Sequence, residues 1–129
     1  MRSSVLFLAT CTGLLGVAAG AFGAHGLKSI LSPEMLSAYK TGVMYQMWHA
    51  LGLGLIAILQ EKSPLSALLN WSGWLMFAGI ILFSGSLYLL AITGTRWLGM
   101  ITPFGGLAFM FAWLLIACYA FQKPLDPNL

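Results

Sequence analysis

"SPLSALLNWSGWLMFAGIILFSGSLYLLAITGT", residues 63–95, passes from Lys62 to Arg96 without one charged side chain. A helix needs about 20 apolar residues to cross ~30 Å of hydrocarbon at ~1.5 Å per residue, and this run is longer than that. Within it "LMFAGIILF" (75–83) is apolar on every side, so no water-facing stripe remains. A bilayer is the only surrounding that suits such a segment, and only helices or closed barrels satisfy the backbone there.

Working outward, the remaining charges leave similar gaps: 41–60 between Lys40 and Glu61, 3–27 between Arg2 and Lys28, and 97–122 between Arg96 and Lys123. A transmembrane barrel would need alternating segments of about 10 residues, which "LGLGLIAIL" (51–59) does not supply. The pattern predicts four spanning helices at about 4–24, 34–60, 68–92 and 98–121. Short loops make successive helices antiparallel neighbours, giving an all-α, four-helix antiparallel bundle in one domain over residues 1–129.

The composition agrees. The chain is 60% hydrophobic and 7% charged, where soluble proteins carry about 25% charge. A net charge of +3 does not make a nucleic-acid surface, because the six basic residues are scattered over loops and tails. They read as anchors beside anionic lipid. Arg2 and the Ala19-Gly20-Ala21 triplet resemble a signal peptide and cleavage site, but the apolar run exceeds the usual ~7–15 residues, so a retained anchor helix is expected.

Local signals place the ends. Ser32-Pro33-Glu34 combines a capping hydroxyl, a proline at the first helical position and an acid at the positive helix end, so the second helix should start near Pro33. Trp71 and Trp74 are expected as interfacial anchors. Pro103 and Gly105-Gly106 lie early in the fourth helix and mark either its first turns or a kinked entry. Gly16-x-x-x-Gly20, with Gly23, is a small-residue face for close helix packing. Gly105 and Gly106 are assigned the same role.

The few polar residues inside the spans carry the functional question. With depth measured from the end that holds Lys40 and Arg96, His25 lies at the mouth. Gln46 and His49 lie about 9 and 13 Å below Lys40, Tyr88 and Ser84 about 12 and 18 Å below Arg96, and Thr102 about 9 Å below it. All six fall in one half of the bilayer, where polar groups can satisfy one another. The pairs Tyr45/His49 and Ser84/Tyr88 each share a face at i,i+4.

Two readings of this polar layer stay open: a hydrogen-bonded knot that fixes helix pairing, or the lining of a path or pocket for a proton, ion or small ligand. Catalysis and metals find less support. Glu34, Glu61 and Asp126 sit at or beyond the membrane surface and make no dyad with the two histidines, and no zinc spacing occurs. Met35, Met44 and Met47 near His49 suggest packing more than copper ligation. Cys11 and Cys118 read as two small buried hydrophobes. No cofactor is expected.

"GAFGAHGL" (20–27), "YQMWHALGL" (45–53), "LFSGSLYLLA" (82–91) and "ITPFGGLAFMFAW" (101–113) together resemble the YgdD-like family of small inner-membrane proteins, whose function is unknown. The resemblance touches every helix. It implies signature positions at Gly20, Phe22, Gly23, Ala24 and His25; at Tyr45, Gln46 and His49; at Ser84, Gly85, Ser86 and Tyr88; and at Thr102, Pro103, Gly105 and Gly106. It also implies a bacterial inner-membrane location with both termini cytoplasmic, although Arg2, Lys62 and Lys123 balance Lys28, Lys40 and Arg96 across the membrane. The expected role is a non-enzymatic structural or accessory membrane subunit, in a homo-oligomer or larger complex, with lipid and no nucleic acid as partner. An oligomeric conduit or binding protein is the alternative.

Overall fold

The computed structural model describes residues 3–122. Arg2, Lys123 and Asp126, which enter the charge reading above, lie outside them. Four spans are long and apolar enough to cross a membrane: Ser4–Leu27, Pro33–Lys62, Ala67–Thr93 and Arg96–Ala120. They form an antiparallel helical bundle with no strand among the described residues.

Inside these spans the regular α-helices are α1 (Ser4–Phe22), α2 (Pro33–Lys62), α3 (Ala67–Gly79), α4 (Gly85–Thr93) and α5 (Thr102–Ala120). Serine opens three of them: Ser3, Ser32 and Ser66 each accept, through the side chain, the amide of the third residue on, at 3.0, 3.2 and 3.3 Å. Each cap satisfies one of the amides that a helix start leaves free. Gly94, with φ of +70°, ends α4 in the left-handed conformation that favours glycine.

Three irregular turns differ from the uninterrupted helices that the sequence predicts. The first span finishes in a π turn, Gly23–Leu27, and the third is broken by another, Ile80–Ser84. The fourth opens with a 3₁₀ turn, Arg96–Met100, so Pro103 falls in the first turn of α5 instead of kinking a longer helix. Tertiary contact explains the second π turn. Leu69 and Met76, seven residues apart, are buried, and so are Ser84 and Ala91. Between Met76 and Ser84 the count is eight, and the π turn absorbs the extra residue.

The second span is the hub. α1 packs along α2, α3 packs along α5, and α2 lies against the first and third spans and meets the fourth through His49, which touches Phe109 and Trp113. Apolar burial falls in two clusters: one around Leu53, Ile56, Leu69, Met76 and Phe109, the other around Leu27, Tyr39 and Ala91. Because lipid tails are as apolar as leucine, close approach at small residues does the holding. A Cβ on Gly16 would collide with Met47, one on Gly23 with the Tyr39 ring, and one on Gly105 with the backbone of Phe83. Gly20 is looser, its Cβ position lying 3.3 Å from Val43. Gly106 does not share the packing role assigned from sequence: a Cβ there meets only Phe83 Cδ2, at 3.9 Å, because this face of α5 turns away from the third span.

Candidate functional site

The intramembrane polar side chains gather around α2. Gln46, 6% exposed, donates from Nε2 to the Thr12 carbonyl of α1 at 2.8 Å and accepts at Oε1 from the Tyr88 hydroxyl of α4. One amide thereby ties three helices. Ser84, at the end of the π turn, donates to the Gly42 carbonyl at 2.7 Å, one turn from Gln46. On the α1 side, Tyr39 donates to the Ala19 carbonyl at 2.6 Å and packs against Tyr88 with ring centroids 5.2 Å apart.

His49 forms a second group. Its ring, 5% exposed, lies on Phe109 with centroids 3.5 Å apart and planes 10° off parallel. Nδ1 is 2.7 Å from the Tyr45 carbonyl, which can only accept, so Nδ1 carries the proton. Nε2 then accepts from the Trp113 indole N–H at 3.0 Å. The tautomer follows from the partners, and both ring nitrogens are used within the protein. Among the described residues no buried side-chain polar atom lacks a partner.

The six residues expected in one layer therefore separate. Gln46 and Tyr88 meet directly, Ser84 sits beside them, and His49 bonds to α5 instead of to Gln46. Thr102 pairs with Ser86 at 2.6 Å, above the others, while Ser86 donates to the Phe83 carbonyl at 2.9 Å. His25 stands exposed on the first π turn and joins none of these groups. The reason is one of level. Arg96 Nη2 lies 4.0 Å from Glu34, so Glu34, not Lys40, stands opposite Arg96. From Glu34, His49 lies about 22 Å down α2, far below Thr102. The Arg96–Glu34 pair is itself 78% and 73% exposed and adds little stability.

The sequence pattern missed several partners. It did not single out Trp113, or Ser72, which donates to the Ala112 carbonyl at 2.8 Å. The acceptors at Thr12, Ala19, Gly42 and Ala112 are backbone carbonyls, which no side-chain pattern announces. Cys11 is half-buried and Cys118 exposed, not the buried pair expected, because α1 and α5 turn those positions outward. Among the described residues no cluster of His, Cys, Asp or Glu could hold a metal ion.

Comparison with known proteins agrees with this architecture. A family model described as a protein of unknown function, DUF423, matches residues 19–106. A UPF0382 membrane protein of Staphylococcus haemolyticus is 44% identical over 95% of this chain and 98% of its own. The UPF0382 membrane protein YwdK of Bacillus subtilis is 48% identical over 89% of this chain and 94% of its own. No solved structure matches.

Proposed function

The chain belongs to the DUF423/UPF0382 family of membrane proteins of unknown function, and from that premise we propose that it is a non-enzymatic structural or accessory membrane subunit. One observation carries this reading. The only histidine buried in the spans spends both nitrogens on the protein itself, on Tyr45 and Trp113, and leaves neither for a substrate, ion or proton. Gln46 is consumed in the same way. Polar groups arranged so fix which helices pair and at what register.

The conduit reading needs a free polar group on a continuous path, and the fully paired His49 and Gln46 count against it. The narrower likeness to YgdD-like proteins rests on the four motifs at 20–27, 45–53, 82–91 and 101–113. With it come the bacterial inner membrane, both termini in the cytoplasm, and assembly into a homo-oligomer or larger complex as parts of the same reading. One domain over residues 1–129 and the absence of a cofactor complete it.

The test is a melting experiment in detergent. His49→Leu leaves the Trp113 N–H without an acceptor, an orphan that costs about 1–3 kcal/mol, so the variant is expected to melt well below the parent. Adding Trp113→Phe removes the orphan and is expected to restore part of the loss. An unchanged melt for His49→Leu would show that the imidazole holds nothing together and would return the conduit reading to first place.

A further inference from the structure

One face of α2 stays outside the bundle. Met44, Trp48, Leu51, Leu55 and Ile58 are all exposed, at intervals of four, three, four and three residues. That alternation is the seam of two helices that cross at ~20° and coil left-handedly about each other. Lys62 continues it by four more residues at the foot of the helix.

The apolar members of this seam would suit lipid, but Trp48 does not. It stands midway between Glu34 and Lys62, ~21 Å from each along α2, and so at the centre of the ~30 Å hydrocarbon core. Its indole is 53% exposed, packs on Tyr45 with centroids 5.0 Å apart, and donates to no described residue. The other four indoles differ. Trp71, Trp74 and Trp97 lie toward the span ends, where headgroups accept, and Trp113 donates to His49. An acyl chain offers no acceptor at mid-membrane, and an unpaired donor there is costly. A protein neighbour can supply one.

Self-complementarity chooses the neighbour. In a parallel pair, Trp48, Leu55 and Lys62 would each enter a hole that is flanked by the preceding residue of the other helix. For Leu55 that residue is the partner's Gly54, which has nothing within 4 Å of a Cβ and leaves the hole open. For Lys62 it is the partner's Glu61. Both charges are exposed and enter no ion pair among the described residues, so a twofold axis makes the Lys–Glu contact twice. Helical side chains lean toward the helix N-terminus, which brings the Trp48 N–H to the level of the partner's Met44, whose carbonyl and thioether accept.

We infer that this face of α2 pairs in parallel with the same face of a second copy, about an axis normal to the membrane. The inference rests on the homo-oligomer within the accessory-subunit reading and names its interface.

Oxidative cross-linking of the full-length chain in phospholipid vesicles tests it, with Cys11→Ala and Cys118→Ala as background. Leu51→Cys, on the seam, is expected to give about tenfold more disulfide-linked dimer than Leu14→Cys on α1 or Leu114→Cys on α5, all three positions being exposed. Trp48→Ala alters an exposed side chain and should weaken the pair about tenfold or more, with helix content by circular dichroism unchanged. Lys62→Glu sets like charges together and should weaken it severalfold, while the exchange Glu61→Lys/Lys62→Glu restores it. Equal cross-linking at the three positions overturns the inference, as does a Trp48→Ala chain that pairs as tightly as the wild type. A dimer linked at Leu14→Cys or Leu114→Cys instead overturns this interface and leaves the homo-oligomer standing. A chain that stays monomeric at every lipid ratio, with lipid or a foreign helix on this face, removes both.

Discussion

Gly105→Leu is expected to leave no folded bundle, while Gly106→Ala, one residue later, melts with the wild type. A Cβ at residue 105 would lie 2.7 Å from Phe83 Cβ and 2.8 Å from Phe83 Cα, and closer still to the Phe83 amide nitrogen. An overpacked core ordinarily costs about 1–3 kcal/mol, because neighbouring side chains shift aside. Here the obstacle is the backbone of a π turn pinned at its end by the Ser84 bond to Gly42. It cannot move without breaking that bond and separating α5 from the third span, so the cost should exceed the ordinary range. Size-exclusion elution and thermal melting in detergent provide the readout. A well-folded Gly105→Leu would mean that α5 does not approach the third span as described.

Gln46→Leu is expected to produce the second-largest loss. The Tyr88 hydroxyl loses its acceptor and the Thr12 carbonyl loses a donor from α2. A hydrogen bond between spans averages only about 0.6 kcal/mol, since a separated helix finds other partners in the membrane. The orphaned phenol is what raises the figure to about 1–3 kcal/mol. The double variant Gln46→Leu/Tyr88→Phe removes donor and acceptor together, and its loss should be smaller than the sum of the two single losses. A strictly additive cycle, measured by reversible unfolding, would show that these two side chains do not act as a pair.

The spans themselves were legible because charge is so scarce here: each gap between Lys or Arg and the next charge is long enough to cross a bilayer, and no competing periodicity exists. Gln46 and Tyr88 were legible as members of one polar layer in the spans, but not as a bonded pair. Levels between hairpins were not. They depend on which residue of a loop stands opposite which, and Lys40 was set against Arg96 where Glu34 stands. That difference of about 1.7 turns is why Thr102 does not share a layer with the histidine. Trp113 was hidden for a different reason: tryptophan is common at membrane edges, and nothing in "FAWLLI" separates an indole that donates inward from one that faces lipid. Gly105 and Gly106 are chemically identical in sequence, and only the side of α5 on which each falls divides a tight packing contact from an open position.

The widened turn at Ile80–Ser84 makes one position of the third span expendable. Excising a single residue from an ordinary helix twists all that follows by ~100° and carries core side chains into the acyl region. Between 80 and 84 the same excision would tighten the loop of backbone into a regular α turn. Leu69 and Met76 on one side, and Ala91 on the other, would keep the faces they have. Chain length in this span is thus free to change by one at this place and nowhere else, and a scan of single-codon deletions should find its lone survivor there.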